Sequence, residues 1–75
     1  MKSLGFQQFK QIHMIGIGGS GMIGLATILQ KRGFKITGSD LVITPEVEEL
    51  KKLGSKVQIG HDPNLIKSAD LVVAS

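Results

Sequence analysis

The 75-residue sequence predicts an α/β domain, an open parallel sheet of about four strands with flanking helices. Three observations predict it. Short β-rich apolar runs alternate with segments whose apolar residues recur at helical spacing, in the order β-α-β-α-β-α-β. The connections are short, which with this alternation implies parallel strands joined by right-handed crossovers. The last run, residues 71–74, is almost purely apolar, as a parallel strand covered on both faces requires.

Residues 1–10 form a lead-in. Phe6 and Phe9 are three apart, as on a helical turn, but Gly5 argues against a stable helix, and the two rings are expected to pack on the body. Residues 12–17 are an apolar strand interrupted by His13, which reads as a core or second-layer histidine. Gly18 and Gly19 make the turn into a helix over 20–32, where Met22, Leu25, Ala26, Ile28 and Leu29 fall at helical spacing and Gly33 is the stop. A second strand covers 34–39 and ends at Asp40. Thr44-Pro45-Glu46 is a helix start, with an N-cap hydroxyl, proline at the first position and acids in the first turn. Val47, Leu50 and Leu53 make that helix's apolar stripe, Glu48 and Lys52 have i,i+4 pairing distance, and Gly54 is its stop. Residues 56–59 are a third strand. Asp62 then caps a short helix, opened by Pro63, that runs to about residue 67. The chain stops at Ser75, directly after the fourth strand, which predicts a truncated domain. The bare flank of that strand predicts self-association through the sheet edge, or moderate stability.

Composition excludes several classes. Hydrophobic residues are 41% and charged residues 20%, an ordinary globular balance. There is no Cys, so disulfides and thiolate metal sites are excluded. No apolar run approaches the ~18–20 residues that span a bilayer. Met1 to Lys10 has no apolar core or cleavage site of a signal peptide, so the expected location is the cytoplasm, with no membrane partner. The net charge is +3, and the adjacent basic pairs Lys31-Arg32 and Lys51-Lys52 fall at helix C-termini, where the helix dipole favours cations. That pattern and the lack of an aromatic-rich signature argue against a nucleic-acid partner.

The informative segment is Gly16-Ile17-Gly18-Gly19-Ser20-Gly21, a G-x-G-x-x-G lying between a strand and a helix, as in Rossmann-like nucleotide-binding domains. Gly16 permits the tight turn, Gly18 leaves room for a diphosphate against the backbone, and Gly21 lets the helix approach the strand. The first helical N–H groups then face the anion. Ser20 is either a phosphate donor or an N-cap. Asp40, 19 residues beyond Gly21, is either an acceptor for a nucleoside hydroxyl or a solvated turn aspartate. His61 follows the third strand, and it either faces the ligand or is simply exposed. There is no ATP phosphate loop, no H-E-x-x-H, no G-x-S-x-G and no recognisable carboxylate pair, so no catalytic residue and no metal ligand is assigned.

The stretch from Ile12 through Met22, followed by Gly24-Leu25-Ala26, closely resembles the N-terminal domain of the Mur ligase family, in its UDP-N-acetylmuramate–L-alanine ligase branch. Gly38-Ser39-Asp40, Gly60-His61-Asp62 and the terminal Ala69 to Ser75 agree in register, so the resemblance covers about residues 10–75. One departure is Ile23, in the first helical turn, where the family has a small residue such as Ser. The sister family that recycles murein tripeptides has a bulkier glycine loop and fits less well.

The resemblance implies a partial UDP-sugar-binding domain over 11–75, with UDP-N-acetylmuramate as the partner. It implies that Gly16 and Gly18 to Met22 (Gly18, Gly19, Ser20, Gly21 and Met22) cradle the diphosphate. Asp40 and His61 would lie near the nucleoside, and Ser75 would begin the loop that completes the site. It further implies a peptidoglycan-building enzyme that uses ATP and Mg2+ to form an acyl phosphate, which L-alanine attacks to give an amide. The ATP loop, magnesium ligands and alanine site are expected in later domains, so these 75 residues alone are expected not to catalyse. The alternative is an NAD-binding half-domain of a dehydrogenase or regulatory module, which the glycine fingerprint and Asp40 also fit. A merely structural fragment would be favoured if side chains filled the cradle.

Overall fold

A computed structural model describes residues 10–74. The elements are β1 (Gln11–Ile15), α1 (Ser20–Lys31), β2 (Lys35–Asp40), α2 (Pro45–Lys52), β3 (Lys56–Ile59), α3 (Pro63–Ser68) and β4 (Leu71–Ala74). The four strands form one parallel sheet in the order β3-β2-β1-β4. The expected α/β architecture is therefore present. The expectations for Phe6, Phe9 and Ser75 fall outside the described residues.

Local chemistry sets the element ends. Thr44 Oγ1 accepts the Val47 N–H at 3.3 Å, and Asp62 Oδ1 accepts the Asn64 N–H at 2.9 Å, so both expected N-caps are formed. α1 and α2 each end in the same pair of hydrogen bonds. Phe34 N–H reaches Leu29 O and Gly33 N–H reaches Gln30 O; Ser55 N–H reaches Leu50 O and Gly54 N–H reaches Lys51 O. This closure requires a left-handed residue, and Gly33 and Gly54 supply it at φ +98° and +116°.

The side-chain period of two divides the sheet into two unlike faces. On one face Ile12, Met14 and Ile36 pack with Ile17, Met22 and Ala26 from the turn and α1, and with Val47 and Leu50 from α2. The crossovers β1–β2 and β2–β3 advance in one direction and put α1 and α2 on that face. The β3–β4 connection returns past β1, so its right-handed crossover puts α3 on the other. That second face carries His13, Thr37 and Ser39, all buried.

Several expectations need correction. β1 ends at Ile15, and Ile17 is buried from the turn rather than from the strand. Leu25, Ile28 and Leu53 are at the surface, because the core needs only the narrow stripe of α1 that faces the sheet, and Leu53 is the C-cap of α2. Glu48 pairs with Lys51, and Glu49 with Lys52, each at 3.9 Å and i,i+3; no Glu48–Lys52 pair forms. β4 is not covered on both faces. Leu71 and Val72 are 37% and 40% exposed, since β4 is the outer strand beside β1.

Candidate functional site

The glycine turn leaves β1 at the C-terminal edge of the sheet. Gly16 adopts φ +78°, and the N–H groups of Gly16 and Ile17 both donate to Ser39 O, at 2.8 and 3.2 Å. This anchors the turn to the end of β2. Gly19 N–H donates to Gly16 O at 2.9 Å, and Gly19, in extended conformation, is the N-cap of α1 with no side-chain cap. Ser20 is therefore the first helical residue, and its alternative role as an N-cap is excluded.

The amides of the helix start divide sharply. Met22 and Ile23 N–H groups both donate to Gly19 O. Those of Ser20 and Gly21 have no partner among the described residues, and both residues are exposed. Two free donors at the positive end of a twelve-residue helix are suited to anionic oxygens. Met22 is a core residue, 7% exposed, whose amide is already used.

Two glycines act differently from their expected roles. A Cβ on Gly21 would have no atom within 4 Å, so Gly21 is not what lets the helix approach the sheet. The close approach is instead at Gly38 on β2, which makes room for the turn residue Ile17: a Cβ there would lie 2.5 Å from Ile17 Cδ1. At Gly18 the crowding comes from Asp40, whose Oδ2 would be 2.8 Å from the added carbon.

Asp40 is fixed locally. Its Oδ2 accepts the Gly18 N–H at 2.8 Å and its Oδ1 the Leu41 N–H at 2.7 Å. These bonds, the Gly18 one foremost, hold its carboxyl below the usual aspartate range. So one amide of the cradle is filled by a side chain while those of Ser20 and Gly21 stay open. Asp40, half-buried at the end of β2, thus has both carboxylate oxygens engaged by backbone N–H groups.

His61 follows β3 and reaches back to the end of β2. Gly60, at φ +85°, donates its N–H to Asp40 O at 2.9 Å and turns the chain back from β3. His61 Nδ1 then meets Ser39 Oγ at 2.7 Å, while the residue stays exposed. Ser39 thus anchors the glycine turn through its carbonyl and His61 through its hydroxyl. Its hydroxyl was not singled out from the sequence. The available signal was polar Thr37 and Ser39 alternating along β2 on the same face as His13.

His13 is fully buried, as expected of a core histidine. Its Nδ1 meets Thr37 Oγ1 at 2.7 Å, and its Nε2 is buried with no partner. Burial lowers its pKa first, the charge of His61 lowers it further, and Asp62 opposes both. Among the described residues no group of three or more His, Asp or Glu side chains could hold a metal ion. No helix among them is long and apolar enough to cross a membrane. The arrangement can bind an anion; Ser39, fully buried, offers no accessible nucleophile.

The Mur ligase family, catalytic domain model matches residues 11–75. UDP-N-acetylmuramate–L-alanine ligases of Sulfurihydrogenibium sp. and Persephonella marina are each 53% identical over 66 residues, 88% of this chain and 14% of theirs. The enzyme of that name from Legionella pneumophila is 52% identical over the same span. The crystal structure of a murein peptide ligase from Psychrobacter arcticus matches with TM-score 0.79 at 33% identity, covering 87% of this chain and 14% of that one. The chain thus spans about one-seventh of the length of these relatives.

Proposed function

From the premise that the chain belongs to the Mur ligase family, we propose that it is the UDP-N-acetylmuramate-binding N-terminal domain of a UDP-N-acetylmuramate–L-alanine ligase. The observation that carries this reading is the 53% identity to ligases of that name, against 33% to the murein peptide ligase. The free amides of Ser20 and Gly21 at the start of α1 support it: they are the donors for the diphosphate, with the exposed Ser20 hydroxyl beside them. Gly16, Gly18 and Gly19 shape the turn, and Met22 seats the helix in the core. Asp40 and His61 line the nucleoside side. In this reading Ser75 begins the loop that completes the site.

The role of these residues is to bind and orient the substrate in peptidoglycan synthesis, in the cytoplasm. ATP and magnesium supply the activation of the muramate carboxylate in this reading. The described residues do not fit either group: the sequence has no phosphate loop, and no metal-binding cluster forms among them. No step through ATP or magnesium is assigned to them.

The test is a pair of NMR titrations of the labelled chain, with UDP-N-acetylmuramate and with NAD. Shifts at the Ser20 and Gly21 amides with the UDP-sugar alone are expected. Shifts with NAD alone would replace this reading by the dinucleotide-binding one.

A further inference from the structure

Building on the UDP-sugar reading, we propose that Ser39 is a positioning residue: its buried hydroxyl fixes His61 as the tautomer that presents an Nε2–H donor to a ligand oxygen. Ser39 has no exposed surface, and its hydroxyl has one hydrogen-bond partner among the described residues, His61 Nδ1 at 2.7 Å. A buried hydroxyl carries a proton that needs an acceptor. Nδ1 is the acceptor within reach, so Ser39 donates. A neutral imidazole that accepts at Nδ1 carries its own proton at Nε2. His61 is exposed and its Nε2 is bonded to no described residue, so that N–H is available to solvent or ligand.

The surroundings leave His61 little freedom. Gly60 ties the loop to Asp40 O, and the Asp62 carboxylate is engaged in capping α3. The same Ser39 residue holds the glycine turn through its carbonyl, so a single β2 position sets the spacing between the free helix-start amides and the imidazole. The acceptor that suits an N–H donor there is a phosphate or carbonyl oxygen of the nucleotide. His13 differs, because its Nε2 is buried in the interior with no hydrogen-bond partner.

The experiment reads the ring nitrogens of His61 directly, by long-range proton–nitrogen correlation on the labelled chain, which distinguishes the Nε2–H from the Nδ1–H tautomer. The wild-type chain is expected to show the Nε2–H tautomer, and Ser39→Ala a mixture of the two. Ser39→Ala is expected to weaken UDP-N-acetylmuramate binding roughly 3- to 10-fold, the range of one hydrogen bond. In a His61→Ala background it is expected to cost nothing further, because Ser39 acts through that ring. Ser39→Cys, of similar size and a weaker donor, carries the test if the alanine variant does not fold. An unchanged tautomer in a folded variant overturns the proposal and leaves the UDP-sugar reading standing. So does an equal loss of affinity with and without His61. Absence of any UDP-sugar response in the wild-type chain overturns both.

Discussion

The Asp40 carboxylate holds the backbone N–H of Gly18 at 2.8 Å, and a Cβ on Gly18 would sit 2.8 Å from that same oxygen. Gly18 does not adopt a positive φ, so the need for glycine there is one of space. The turn is built around an internal anion, and the amides left for an external one are those of Ser20 and Gly21.

Gly18→Ala and Gly21→Ala should therefore part company. At Gly18 the new carbon displaces the Asp40 carboxylate and breaks its bond to the turn, with an expected loss of about 1 kcal/mol. At Gly21 the site is open and helical, so alanine should stabilise by roughly 0.5–1 kcal/mol. Urea unfolding of the two variants checks this, and a loss of stability in Gly21→Ala would contradict it.

Gly38→Ala should be the most damaging glycine substitution. The added carbon would meet three Ile17 atoms at 2.5, 2.9 and 3.0 Å, and Ile17 is fully buried in the core. Ile17 cannot swing into solvent, so overpacking is expected to cost about 1–3 kcal/mol. Thermal unfolding beside the wild-type chain measures it.

Acidification should weaken the fold in two separate windows. His13 has its pKa lowered below 6.5 by burial, so the unfolded chain takes up the proton first. The stability tied to its neutral form is complete above that value and falls as pH drops below it. Asp40 and Asp70 are shifted below 3.8 by backbone hydrogen bonds, so their contribution is present above that value and is lost as pH falls through their folded-state pKa values. His61 and Asp62 are the charged groups acting on His13. Unfolding midpoints between pH 7.5 and 5 should decline in the wild-type chain and flatten in His13→Gln; parallel slopes would show that His13 is not the source.

The outer edge of β4 should mediate self-association. Among the described residues β4 pairs with β1 alone, and Leu71 and Val72 are more than one-third exposed. An open strand edge with apolar side chains is a template for another strand. Sedimentation velocity should show dimers or larger species for the wild-type chain and a shift to monomer for Val72→Lys. A wild-type monomer at all concentrations would set the prediction aside.

The sequence alone determined the seven elements and the location of the glycine turn between β1 and α1. Those signals act over a few residues. Pro45 and Pro63 open helices, Thr44 and Asp62 cap them, and Gly33 and Gly54 accept the left-handed closure that ends them. Tertiary structure decided what these elements do to one another. Gly18–Asp40 and Ser39–His61 each join residues 22 apart, brought together only by the lateral pairing of β1, β2 and β3. The same pairing decided that Gly38, rather than Gly21, makes room for close packing, and that Leu25 and Ile28 face solvent. Apolar periodicity marks a helix face, but strand order and crossover direction decide which part of that face the sheet covers.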